Sequence, residues 1–211
     1  MSDPAFKTSD AALLDAMRTV LRQEADALLA LAAQVDGEWL RALHVLAYVR
    51  ARGGRIIVCG VGKSGHVGRK IAATLASTGT PSFFVHGTEA SHGDLGMITK
   101  GDVLLMLSAS GGTAELMDVA QFAGGNAIPL LLITRKPESP LGRLATHIIR
   151  LPDVPEACPN GQAPTTSSTA TLAAGDALAV ALMHMAGFSR SDFGRFHPCG
   201  QLGLSARAAQ P

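Results

Sequence analysis

From Arg55 onward, short apolar runs alternate with helical segments, and that alternation leaves few folds open. The runs lie at about 55–59, 82–86, 103–107, 129–133 and 147–150. Helical patterns fall between them at about 64–78, 88–93, 113–124 and 139–145. Strands that are apolar on both faces and separated by helices belong to a parallel sheet covered on both sides. Right-handed crossovers then predict an α/β fold: a three-layer, doubly wound, five-stranded parallel sheet. A site is expected at the carboxyl ends of its strands.

Two helices precede the first strand. Leu13, Leu14, Met17, Leu21, Leu28, Leu29 and Leu31 fall at helical spacing between about Ser9 and Ala33, with Ser9 or Asp10 as cap. A second helix is expected from about Gly37 to Arg52. Their apolar surface predicts either a subunit contact or packing across the sheet. After the last strand a proline-rich loop, Leu151 to Pro164, leads into an apolar helix that ends near Ala186. Without repeats or linkers, residues 1–211 are expected to form one domain. Its parts are a helical N-terminal region (about 1–53), a sheet core (about 54–150) and a C-terminal active-site loop and helix (about 151–211).

Composition excludes several function classes. A net charge of +1 and nine aromatic residues (seven Phe, one Trp, one Tyr) give no footprint for nucleic acid. The stretch from Thr169 to Phe188 is interrupted by Asp176 and His184, so it reads as a buried helix and no membrane partner is expected. Cys59, Cys158 and Cys199 are odd in number, far apart and not in metal-ligand spacing. They read as reduced thiols in a cytoplasmic protein with no signal peptide.

The chemistry-bearing stretches are two turns. Ile56-Ile57-Val58 runs into Cys59-Gly60-Val61-Gly62-Lys63-Ser64-Gly65-His66, and Leu104-Leu105-Met106-Leu107 runs into Ser108-Ala109-Ser110-Gly111-Gly112-Thr113. A strand that turns on glycine into a helix presents free N–H groups and a positive dipole end, a ready phosphate site. Nucleotide readings fail on specific residues. Gly60, Gly62 and Gly65 fit a dinucleotide fingerprint, but the second strand ends at Val85-His86 with no acid, and Glu89 comes too late. Gly62-Lys63-Ser64 mimics a nucleotide P-loop, yet the spacing demands glycine where Ile57 stands. What remains is a phosphorylated small molecule. Gly62, Ser64, Ser108, Ser110 and Thr113 are its expected holders, with no metal and no other cofactor.

Lys63, Glu115, Glu156 and His197 each have a plain reading: a solvated lysine, a dipole-favoured acid, an exposed loop carboxylate and a packed histidine. Together an ammonium, two carboxylates and an imidazole are suited to moving protons beside a bound phosphate.

Several longer stretches carry a resemblance. They are Gly60 to His66, Ser77 to His86, His92-Gly93-Asp94-Leu95-Gly96, Glu156-Ala157-Cys158-Pro159, Ala163-Pro164-Thr165 and Gly175-Asp176-Ala177-Leu178-Ala179. From about Gly53 to Gly203 the chain resembles the sugar isomerase (SIS) domain, of flavodoxin-like architecture, and more narrowly the D-arabinose 5-phosphate isomerases. The resemblance is to a short form lacking the pair of CBS domains that most members carry. It implies interconversion of D-ribulose 5-phosphate and D-arabinose 5-phosphate on the way to Kdo and lipopolysaccharide. It also implies a homotetramer whose sites are shared between subunits. The family's proposed catalytic residues fall on Lys63, Glu115, Glu156 and His197, with His92 and Thr165 also in the site and His197 contributed by a neighbour. Two departures stand out: the usual Ser-Asn-Ser-Gly-Glu is here Ser108-Ala109-Ser110-Gly111-Gly112, and His-Pro-Gly-Gly is here His197-Pro198-Cys199-Gly200.

In that reading Glu156 shuttles the carbon-bound proton through a cis-enediol. Lys63 steadies oxyanion charge, Glu115 orients Lys63 or sugar hydroxyls, and His197 opens the ring or protonates O1 and O2. Two other classes stand beside it. One is a sugar-phosphate sensor without catalysis. The other is a metal-dependent isomerase of a heptulose phosphate using His86, His92 and Glu89.

Overall fold

In the computed structural model, residues 8–199 are described; the N-terminal seven residues and the Gly200 to Gly203 end of the motif region lie outside them. The helices are α1 (Asp10–Ala33), α2 (Gly37–Ala51), α3 (Gly62–Ser77), α4 (Gly87–Ala90), α5 (Met117–Gly125), α6 (Thr166–Ala186) and α7 (Arg190–Phe196). The strands are β1 (Ile56–Gly60), β2 (Ser82–His86), β3 (Val103–Leu107), β4 (Leu130–Thr134) and β5 (His147–Arg150). Single 3-10 turns at Asp94–Met97 and Ala114–Leu116 complete the list.

All five strands are parallel, in the order β2-β1-β3-β4-β5. Every residue of β1, β3 and β4 is buried, as their unbroken apolar runs require. The two faces have separate cores. Ile71 and Leu75 of α3, Leu46 of α2 and Ala174 and Leu178 of α6 pack with Val58, Leu105 and Leu131 on one side. Leu116, Val119 and Ala123 pack with Ile57, Leu104 and Met106 on the other. The chain leaves β1 toward β2 and returns to β3 on the opposite flank. The sheet therefore has its topological switch point between β1 and β3, where α/β sheets open a crevice.

The two N-terminal helices divide the alternatives offered by their sequence. Asp36 caps α2 by accepting from the amides of Glu38 (2.9 Å) and Trp39 (3.4 Å), and α2 buries Trp39, Ala42, Leu46 and Val49 over the sheet. Ser9 caps α1, which lies against α6 but buries only Ala27 and Leu31. Leu13, Leu14, Met17, Leu21 and Leu29 stay exposed, Leu21 at 68%.

One expected helix is absent. Residues 139–145 form hydrogen-bonded turns, not a helix. Pro137 and Pro140 remove amide donors and push their predecessors toward extended backbone. The Ser139 hydroxyl accepts from the Gly142 amide instead (3.2 Å). The helix expected at 88–93 is shorter, at Gly87–Ala90. A further helix, α7, starts on a capping box between Ser189 and Asp192 that the sequence reading passed over. The 21-residue α6 has the length and mean hydropathy (1.3) of a membrane span. It nonetheless buries Ala170, Ala174, Leu178, Ala179 and Leu182 in the core.

Candidate functional site

The parallel register sets Gly60 beside Leu107, so the turns after β1 and β3 start side by side at the same edge of the sheet. In the first, Gly60 permits a close approach: a Cβ there would lie 3.1 Å from the Ser64 carbonyl. Gly62 begins α3 with φ +57, a conformation that side chains resist. Val61 occupies the cap position and supplies no side-chain hydrogen bond. The first amides of α3 are thus uncapped by any side chain, with Lys63 and Ser64 beside them.

The second turn is braced from within and from β4. The Ser108 and Thr113 hydroxyls are 2.8 Å apart, and the Gly111 amide donates to Ser108 Oγ (3.1 Å). The Gly112 amide donates to Ser110 Oγ (3.3 Å). The Ala109 carbonyl accepts from the Arg135 amide (3.1 Å), just past the end of β4. These bonds are what any serine-rich glycine turn makes to hold its own shape. Each hydroxyl still has capacity for a further partner, since it combines one donor with two lone pairs.

Glu156 joins the site from the proline-rich loop. Thr165, at the cap position of α6, provides no side-chain cap. The Glu156 carboxylate takes that role from nine residues upstream. Its Oε2 accepts from the amides of Thr165 (2.8 Å) and Ser167 (3.1 Å), and from Thr165 Oγ1 (3.4 Å). Its Oε1 lies 3.5 Å from Arg135 Nη1, with the Glu156 side chain only 7% exposed. Burial pushes this carboxyl up, but hydrogen bonds from Ser167 and Thr165 and the charge of Arg135 outweigh it and hold the group below 4.5. Glu156 is therefore an anion at neutral pH.

A cavity of ≈ 230 Å³ brings these pieces together. Lys63, Ser64, Ser108, Ser110, Thr113, Glu156 and Arg135 all line it, with Gly161, Gln162 and Pro164 of the proline-rich loop and Ser167, Ser168 and Thr171 of α6 opposite. Thr165 adjoins it through Glu156, and Gly62 lies between two lining residues. Three further residues expected in the site neither line nor adjoin it in this way. Glu115, on the 3-10 turn ahead of α5, is exposed and forms no ion pair with Lys63 in this chain. His92, exposed in the turn after α4, donates its amide to Glu89. His197 ends α7 with its ring stacked 3.9 Å from Phe193 and Nδ1 2.9 Å from the Phe193 carbonyl. Among the described residues no group of three or more His, Cys, Asp or Glu is placed to hold a metal ion. Sequence reasoning missed Arg135. It follows an apolar strand and belongs to no recognisable motif, so only the fold reveals that it meets Glu156.

Comparison with known proteins gives consistent neighbours. The SIS domain model matches residues 48–181. The chain is 45% identical over 204 residues to the arabinose 5-phosphate isomerase KpsF of Escherichia coli O6:H1, covering 96% of this chain and 62% of that protein. It is 52% identical over 180 residues to the arabinose 5-phosphate isomerase KdsD of Pseudomonas aeruginosa, covering 85% of this chain and 54% of that protein. The chain thus spans little more than half the length of these relatives. A solved structure of E. coli CFT073 c3406 in complex with A5P superposes with a TM-score of 0.85 at 40% identity, over 90% of this chain and 100% of that one.

Proposed function

The chain belongs to the SIS domain family, and on that premise we propose that it is an aldose–ketose isomerase interconverting D-ribulose 5-phosphate and D-arabinose 5-phosphate. The observation that carries this reading is the cavity itself. Two phosphate-type turns, a lysine and an ionised carboxylate line one cavity at the switch point of the sheet. The names of the relatives, and the arabinose 5-phosphate held by a structure of the same fold, support the choice of sugar.

The substrate phosphate rests on the uncapped α3 amides and the hydroxyls of Ser64, Ser108, Ser110 and Thr113, where helix dipole and N–H groups favour an anion. From the ketose, Glu156 takes a proton from C1 while O2 gains one, giving a cis-enediol. The O1 proton then leaves as the C1 carbonyl forms, and Glu156 returns its proton to C2. No electrons are gained or lost overall, so no redox cofactor is needed. A carboxylate held below its ordinary pKa is a modest base, which places weight on Lys63 to stabilise the developing oxyanion. Thr165, through its hydrogen bonds to Glu156, fixes the base.

His92, Glu115 and His197 enter this proposal through assembly. They stand outside the cavity of one chain, and a homotetramer with shared sites brings His197 from a neighbouring subunit. The exposed leucines of α1 support such an assembly. The unit proposed to act is the single domain, N-terminal helices included, working in the cytoplasm toward Kdo. NMR of the products from ribulose 5-phosphate tests the reading. Arabinose 5-phosphate as the aldose product supports it; ribose 5-phosphate, xylulose 5-phosphate or unchanged substrate contradicts it.

A further inference from the structure

Arg135 has a buried nitrogen without a partner. Its backbone amide bonds the Ala109 carbonyl (3.1 Å) and its Nη1 donates to the Val154 carbonyl (3.2 Å) while facing Glu156 at 3.5 Å. Its Nε is buried and has no acceptor. A buried donor left unmade is costly, so the guanidinium is only partly satisfied by the contacts within the chain. The residue lines the cavity between the hydroxyl turn and Glu156. Its charge also alters the balance there: Lys63 and Arg135 against Glu156 leave one net positive charge to meet a phosphate. The second turn offers Ala109 and Gly112, neither with a polar side chain, so this stretch of the wall depends on its neighbours for donors.

We propose that Arg135 is a substrate-binding residue: the exposed part of its guanidinium meets an oxygen of the sugar phosphate in the cavity it lines, while Nη1 keeps Glu156 in place. The inference rests on the sugar-phosphate reading of the cavity and adds to it a specific recognition contact. The planar guanidinium suits both tasks, since its donors diverge in a fixed fork; a lysine supplies charge without that fork. The charged groups about Glu156 are Arg135 at the end of β4, Lys63 on α3, and the Lys136–Asp153 pair beyond Arg135.

The test compares wild type with Arg135→Lys and Arg135→Met, by steady-state kinetics on ribulose 5-phosphate and by calorimetric binding of arabinose 5-phosphate. Arg135→Lys is expected to raise KM and weaken binding by about tenfold or more, the value of one charge-assisted hydrogen bond, with a smaller change in kcat. Arg135→Met is expected to weaken binding further and to move the acid limb of kcat/KM upward, because Glu156 loses its cation. Variants that melt earlier but keep wild-type binding and an unmoved acid limb overturn the proposal. A wild type that binds the sugar without isomerising it defeats the proposed activity and leaves the binding comparison to decide on Arg135. A wild type that binds no sugar phosphate overturns both.

Discussion

Arg135 Nη1 stands 3.5 Å from Glu156 Oε1, joining the end of β4 to a loop 21 positions later in the chain. The pair closes one wall of the cavity. Because the Thr165 and Ser167 amides grip the other oxygen of Glu156, the carboxylate is fixed from two directions. In the proposed mechanism a base so held is already oriented when the substrate binds, which is where much of a general base's effect originates.

Replacing the proposed base separates its chemistry from its packing. Glu156→Gln is expected to lower kcat by about 10²–10⁴-fold while arabinose 5-phosphate still binds. Single-turnover kinetics with parallel calorimetry reads both quantities. Wild-type turnover in the variant contradicts the assignment.

The same carboxyl predicts a pH-dependent stability. Its folded pKa is depressed, so its contribution is present above the ordinary 4.5 and is lost as pH falls through the lower folded value. Melting temperatures of wild type and Glu156→Gln should therefore differ most near neutrality and converge in acid below 4.5. A constant difference across that window contradicts the prediction.

Gly62 gives a backbone test. At φ +57 an alanine costs about 1–2 kcal/mol, although no atom lies within 4 Å of its Cβ. The strain also shifts the start of α3, which carries Lys63 and Ser64 of the cavity lining, so Gly62→Ala should raise KM several-fold while lowering the melting temperature by only about 2–8 °C. Thermal melts with kinetics on the same preparation decide it.

The proposed assembly predicts its own failure. Met17→Glu with Leu21→Glu puts charge on the exposed apolar side of α1, at positions that do not line the cavity. Light scattering should report a smaller particle, and activity should fall with it because His197 is to come from a neighbour. An unchanged mass contradicts the role given to α1.

The three thiols should differ in reactivity. Burial pushes Cys59 up to about 12. Backbone amides of Ala163, Asn160 and Gln162 lower Cys158, and Cys199 is exposed. Iodoacetamide at neutral pH should label Cys158 first, Cys199 next and Cys59 not at all, as peptide mass spectrometry would show.

Much of this was legible before the fold was known. The apolar runs located all five strands, because buried parallel strands have a composition that little else shares. The glycine turns announced the strand ends where Lys63, Ser64, Ser108 and Thr113 meet. The stretch 139–145 misled because its leucine spacing looks helical while its prolines decide otherwise. Arg135 was hidden for a different reason. Its role comes from a contact between β4 and the 151–164 loop, and no periodicity encodes a long-range pair. Glu156 as the distant cap of α6 was equally invisible from spacing alone.

The most direct test follows ribulose 5-phosphate in heavy water by NMR. The account predicts arabinose 5-phosphate formed by wild type and nearly absent with Glu156→Gln, carrying deuterium at C2 in the turnovers in which the Glu156 proton exchanges with solvent before it is returned. Bound substrate with no deuterium incorporated at C1 or C2, and no aldose formed, would contradict it.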